Sequence, residues 1–317
     1  MKILLISFFF LFTFNIHASE NPYKFLKKEV LLGKASSELK NDTRSISKKK
    51  ALSIFEDTDG RAIKITLDTK FKGNKKDWER TGERNQRWEM ANKKKPRKFK
   101  KPVYVKYTFK LNDFPIHPAV GGSFFQVIAN KGNSRLLPWM KLEYRGNSVV
   151  HQLNFTKEVF YLKGDPENSN FDKISYKFPL GTVDQFKNYR TVSFKILASK
   201  EDNGEIIAWV DNKKVFEVYG SNFTIGNGYT FKWGFYRWLK DAFLNETPTQ
   251  SLTVKEFGFS DKCEEILDQD KCSYTSKSKD SVSYVRYRKS SYRMPTYGKK
   301  ITKSIKWTKP LPEIKIN

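Results

Sequence analysis

A lysine, a glycine and a tyrosine alternate along Tyr229-Thr230-Phe231-Lys232-Trp233-Gly234-Phe235-Tyr236-Arg237-Trp238. Read as a β-strand, this stretch sorts its side chains by parity, because residues two apart share a face. Phe231, Trp233 and Phe235 make an apolar face suited to a core. Lys232, Gly234 and Tyr236 make the other: a cation, a position with no side chain, and a phenol. A glycine inside a strand often marks the close approach of a ligand or of another backbone. A lysine and a tyrosine flanking such a gap could hold an anionic substrate and move a proton.

Two earlier motifs carry matching chemistry. In Glu83-Arg84-Asn85-Gln86-Arg87-Trp88-Glu89-Met90, Arg87 and Glu89 share a strand face and Trp88 takes the other. A guanidinium grips a carboxylate or sulfate at two points, and Glu89 could orient it. A plain salt bridge on a strand surface is the alternative. In Phe124-Phe125-Gln126-Val127-Ile128, one amide stands in an apolar strand. Gln126 either donates to a substrate carboxyl or is a satisfied core amide.

The chain has three histidines, His17, His117 and His151. His117, between Ile116 and Pro118, reads as a loop residue, and His17 belongs to the leader described below. His151 follows the strand after Pro138-Trp139-Met140-Lys141-Leu142 and could enter a cleft as a second proton carrier. A lone histidine is more often structural. Cys263 and Cys272 are the only cysteines, and no histidine stands near them. They read as a local disulfide rather than a zinc site. No metal-ligand cluster is apparent, and neither metal nor other cofactor is expected.

The elements that must position these groups are strands. Residues 62–67, 103–111, 123–129, 140–144, 191–197, 206–210 and 252–259 are candidates, and the odd positions of Val103 to Leu111 are apolar. Gly121-Gly122, Gly146-Asn147, Asp211-Asn212 and Gly226-Asn227-Gly228 supply turns. The stretch from Gly204 to Phe216 reads as a hairpin. Short strands at this spacing predict an all-β, antiparallel sandwich or jelly roll.

Met1-Lys2, the apolar run Ile3 to Phe14 and Ile16-His17-Ala18 read as a signal peptide over 1–18, too short for a membrane span. Residues 19–50 read as a loosely ordered, polar, lysine-rich lead-in and 51–262 as the sandwich. Residues 263–317 read as the disulfide loop and a solvated basic tail containing Tyr284-Val285-Arg286-Tyr287-Arg288. Lys+Arg is 60 against Asp+Glu 34, a net charge of +26, so an anionic partner is expected. Nucleic acid, an anionic membrane and an acidic polysaccharide all qualify by charge, and export to the periplasm or medium argues against the first. No later span is long enough to cross a membrane, and a monomer is expected.

The motifs, in this order, resemble the jelly-roll polysaccharide lyases from about residue 55 to 260. The alginate lyases of that fold carry Arg-x-Glu, Gln-Ile-His and Tyr-Phe-Lys-Ala-Gly-x-Tyr strands. The heparin lyase I and glucuronan lyase group is closer, with a late Lys-x-Gly-x-Tyr-Arg that here is Lys232-Trp233-Gly234-Phe235-Tyr236-Arg237. Ile128 stands where the alginate lyase pattern has its histidine.

The resemblance implies β-elimination on a uronic acid. Arg87, Gln126 and Lys232 would neutralise the carboxylate, so that the C5 proton can leave. Tyr236 would act as base and acid, with neighbouring cations favouring its phenolate. His151 would be needed if the two proton transfers occur on opposite faces of the sugar. Arg84, Glu89, Trp139 and Arg237 are the expected substrate contacts. A non-catalytic carbohydrate-binding module, or a basic surface-binding protein, is the alternative. A glycoside hydrolase would want two carboxylates across a cleft, for which Glu89 and Glu143 are the only pair to suggest.

Overall fold

The structure, a computed structural model, describes residues 20–42, 45–70, 86–92, 97, 101–112, 114–115, 120–131, 134–162, 165–201, 203–223, 226–238, 249–274, 287–292, 301–306 and 313–316. In chain order the first strands are β1 (Leu31–Gly33), β2 (Leu39–Asn41), β3 (Leu52–Asp57), β4 (Gly60–Asp68), β5 (Gln86–Asn92) and β6 (Val103–Asn112). Then come β7 (Gly121–Lys131), β8 (Ser134–Arg145), β9 (Ser148–Leu162), β10 (Asp165–Thr182), β11 (Arg190–Leu197) and β12 (Glu205–Val210). The last are β13 (Lys213–Tyr219), β14 (Gly228–Trp238), β15 (Thr249–Ser260), β16 (Tyr287–Tyr292), β17 (Ile301–Lys306) and β18 (Glu313–Ile316).

These strands form two sheets. The first runs β18-β13-β12-β11-β6-β15-β4-β3, with β1 beside β15. The second runs β16-β10-β9-β8-β7-β14-β5-β2, with β17 beside β9. The pairings are antiparallel except β1 with β15. The sheets pack face to face as an all-β jelly-roll sandwich, as the alternation predicts.

Alternation decides what each strand buries. Val103, Val105, Tyr107, Phe109 and Leu111 of β6 are all buried, and the residues between them are half-buried. From the second sheet, Trp233 stacks on Phe257 at 5.0 Å between centroids and meets Tyr107 edge-on at 6.2 Å. Phe125 meets Phe194 and Phe257 across the same interior. Aromatic pairs at these distances add dispersion and quadrupole attraction to the burial of their area. Asp211 and Asn212 take φ of +46° and +70° and close the β12–β13 hairpin in two residues, the left-handed pair that such a turn requires.

Two segments depart from the sequence reading. The lead-in is packed, not loose: Phe25, Leu26, Val30, Leu31, Ala35 and Leu39 join the core. β1 extends along β15, and β2 extends the second sheet beyond β5. These apolar residues sit in runs too short to display a period among the lysines. The basic tail also contributes structure, since β16, β17 and β18 pair with β10, β9 and β13. The motif from Tyr284 lies outside the described residues except for Tyr287 and Arg288, which are in β16. The leader, with His17, also lies outside them.

Cys263 and Cys272 form the expected disulfide, with their Cα atoms 5.5 Å apart. Their loop covers a small cluster of Ile207, Trp209, Ile266 and Leu267. Ile207 and Trp209 alternate along β12 with Ile206, Ala208 and Val210 of the main core, so the loop caps the outward face of the first sheet. The outward face of the second sheet carries Lys232, Tyr236, Arg87, Glu89 and Gln126.

Candidate active site

Three adjacent strands of the second sheet, β5, β14 and β7, assemble the site. Tyr236 lies opposite Arg87 on β5 and opposite Ser123 on β7. Lys232 lies opposite Ala91 and Gln126, and Gly234 opposite Glu89. Phe231, Trp233 and Phe235 point into the core, so Lys232, Tyr236, Arg87, Glu89 and Gln126 share the outward face. The parity reading of β14 therefore describes the strand correctly.

Glu89 is the hub. Its carboxylate accepts from Arg87 Nη1 at 3.1 Å, Lys232 Nζ at 3.1 Å and Gln126 Nε2 at 3.2 Å. Burial pushes its pKa up, but Lys232 and then Arg87 outweigh that and hold it below the usual carboxylate range. Lys232 also pairs with Asp42 Oδ2 at 2.9 Å, and both side chains are 2% exposed. Two cations and two carboxylates thus compensate each other. The centre is a preorganised hydrogen-bonding network rather than a surplus of positive charge.

Tyr236 is half-buried, and two side chains fix its ring. The Arg87 guanidinium carbon sits 4.2 Å from the ring centroid. The Trp238 ring meets it at 5.7 Å and 62°. A cation over the π-face attracts the ring electrostatically, and more strongly where water is excluded. Arg87 thus contacts both the hub carboxylate and the phenol.

Gly234 serves a backbone rather than a ligand. Its φ is +139°. An added Cβ would overlap the Trp88 carbonyl oxygen and come within 2.8 Å of Glu89 Cα. The ladder between β14 and β7 slips between Trp233 and Tyr236. A bulge of this kind re-aims the side chains on either side of it. Here it sets Tyr236 against Ser123 while Phe124 and Phe125 both enter the core.

Three expected site residues lie elsewhere. His151 is fully buried against Phe178, Phe194 and Phe216, with ring centroids 6.2, 4.9 and 5.2 Å away. Among the described residues neither of its ring nitrogens has a hydrogen-bond partner, and burial pushes its pKa down to about 3. It is a core residue and cannot reach a substrate on the outward face. Arg237 is also interior, because parity places it with Phe235. It donates from Nε to Gln86 Oε1 at 2.8 Å, and burial lowers its pKa to about 10. Trp139 is 3% exposed, packs on Phe223 at 4.8 Å and donates from Nε1 to the Asn222 carbonyl at 2.8 Å. Arg84 and His117 lie outside the described residues.

Sequence reasoning missed Asp42 and Ser45. The Asp42 amide donates to the Glu89 carbonyl at 2.9 Å, and the Ser45 hydroxyl donates to the same oxygen at 2.9 Å. In return the Glu89 amide donates to Ser45 Oγ at 2.8 Å. Reading 19–50 as loose removed these residues from consideration, although a sheet edge next to β5 needed a partner. Among the described residues, no group of three or more His, Cys, Asp or Glu could hold a metal ion.

The polysaccharide lyase family model matches residues 35–255. Three solved structures are similar in fold. An endo-β-1,4-glucuronan lyase from the fungus Trichoderma reesei is 15% identical, with 70% of this chain and 92% of that one covered and a TM-score of 0.47. An alginate lyase from Pseudomonas aeruginosa is 13% identical, with 65% and 85% covered and a TM-score of 0.42. An alginate lyase from Corynebacterium sp. is 9% identical, with 65% and 80% covered and a TM-score of 0.41. No curated protein matches the sequence.

Proposed function

This chain belongs to the polysaccharide lyase family, and from that premise we propose that it cleaves a uronic-acid-containing polysaccharide by β-elimination at Tyr236. The observation that carries the reading is the placement of Tyr236. Its ring stands on the outward face, directly across the ladder from Arg87 and against that guanidinium.

The substrate carboxylate is received by Gln126 and Arg87, whose donors Glu89 holds in fixed directions. Hydrogen bonds to that carboxylate stabilise the charge that develops as the C5 proton leaves. Tyr236, as phenolate, takes this proton. The C5–H electron pair becomes the C4–C5 double bond, and the C4–O bond breaks. The departing oxygen takes the proton from Tyr236, which restores the phenolate. The scheme is balanced with one residue and requires both transfers on one face of the sugar. With His151 in the core, this scheme uses Tyr236 for both transfers. Lys232, closed between Asp42 and Glu89, positions the hub and does not grip the sugar itself.

The chain is exported in this reading. Its apolar N-terminus and the Cys263–Cys272 disulfide support an oxidising destination. Amino-terminal sequencing of the protein recovered from its native compartment tests this, and a mature chain that still begins at Met1 would oppose it.

Incubation with a panel of glucuronan, alginate and heparin-like polymers tests the function. New ultraviolet absorbance from the conjugated double bond is the expected result on at least one of them. Binding with no new absorbance on any would favour a carbohydrate-binding module.

A further inference from the structure

Beyond Tyr236, the outward face continues to Trp238 and then across β7 to the side chains of β8. Trp238 lies opposite Gly121, and Gly121 lies opposite Arg145. A Cβ built on Gly121 would come within 2.6 Å of Trp238 Nε1 and 2.8 Å of its Cε2 and Cζ2. The indole therefore lies against the β7 backbone, in space that only a glycine leaves open. The Lys141 ammonium sits 5.9 Å from the centroid of this ring.

Glu143 stands between Lys141 and Arg145 of β8. It is fully buried, and among the described residues neither carboxylate oxygen has a hydrogen-bond partner. Lys141 Nζ lies 3.9 Å from its carboxylate and Arg145 Nε 3.8 Å. These distances are too long for hydrogen bonds but short enough for electrostatic attraction. Glu143 thus holds both cations over β8 without using their donors. The Arg145 side chain is 44% exposed and that of Lys141 is 23% exposed. The three charges sum to one positive, whereas the network around Glu89 is neutral.

We propose that Trp238, Lys141 and Arg145 form a second sugar subsite beside Tyr236, which holds the uronate next to the one being cleaved. This rests on the lyase reading above. A sugar ring has an apolar C–H face that packs on the indole, and a uronate carries the carboxylate that a guanidinium receives at two points. Trp238 and Tyr236 are in ring contact, so a sugar against the indole is the immediate neighbour of one at the phenol. Gly121 and Glu143 are positioning residues: the first gives the indole its place and the second aims the cations.

The test measures binding of glucuronate and alginate oligosaccharides, from disaccharide to hexasaccharide, by calorimetry in the Tyr236→Phe protein. Trp238→Ala is expected to weaken hexasaccharide binding on the order of tenfold, with a smaller loss as the chain shortens. Gly121→Ala, which keeps every recognition group but displaces the indole, is expected to reproduce that loss. Arg145→Ala is expected to weaken acidic oligosaccharides and to spare their carboxyl-reduced forms. Trp238→Phe, which keeps a flat apolar ring, is expected to recover part of the affinity. Unchanged hexasaccharide affinity in both Trp238→Ala and Gly121→Ala, in proteins that melt like the parent, would overturn the subsite while polymer cleavage by the wild type upheld the lyase reading. A wild type that neither binds nor cleaves a uronic polymer would overturn both.

Discussion

Lys232 Nζ lies 3.1 Å from Glu89 Oε2 across the β5–β14 ladder, and both side chains are almost wholly buried. The pair sits at the centre of a four-charge network with Arg87 and Asp42. Removing one member of a buried ion pair strands the other, which typically costs about 3–5 kcal/mol. Glu89→Gln is therefore expected to destabilise the fold on that scale in chemical denaturation. Glu89→Gln made in a Lys232→Met background should cost less, since the stranded ammonium is then gone. Equal costs in the two backgrounds would show that the pair is not coupled.

Gly234 makes a separate prediction. A side chain there meets the backbone of Trp88 and Glu89 rather than open space. Gly234→Ala should break the β5–β14 register, lower the melting temperature and reduce activity together. If the glycine instead left room for a ligand, the alanine variant would fold like the parent and lose only affinity.

His151 predicts a pH dependence. In the unfolded chain its imidazole takes a proton near pH ~6.5. In the folded protein burial delays that to about pH 3. The unfolded state therefore binds more protons between these values, and folding weakens as the pH falls through that window. The slope is about 1.4 kcal/mol per pH unit, or about 2 kcal/mol between pH 6.5 and 5. His151→Leu removes this contribution, so its stability should fall less than that of the parent on acidification. Its turnover should match the parent at neutral pH. A severe loss of turnover in a well-folded His151→Leu protein would return the histidine to the mechanism.

Much of this was legible in the chain. Strict alternation exposed β6, and the same parity put Lys232 and Tyr236 opposite the core aromatics of β14. Parity also held two answers that motif matching obscured. Val149, His151 and Leu153 share a face, so the histidine had apolar neighbours on both sides along its strand. Arg237 falls on the face of Phe235, and the interior supplies Gln86 to satisfy it. Asp42 was not legible. It reaches Lys232 only because β2 adds to the edge of β5, a long-range pairing that three residues of strand do not announce. Trp139 reads as a substrate contact until Phe223 and the Asn222 carbonyl are seen to close over it.

The central claim is that the Tyr236 hydroxyl carries the proton from C5 to the departing oxygen. Tyr236→Phe keeps the ring against Arg87 and Trp238 and removes only that hydroxyl. The decisive measurement is the rate of ultraviolet absorbance increase on a polymer that the wild-type protein cleaves, with polymer affinity measured in parallel. A fall in turnover by a factor on the order of 100 or more, with affinity little changed, is the predicted result. A Tyr236→Phe protein that cleaves the polymer at the wild-type rate would contradict it.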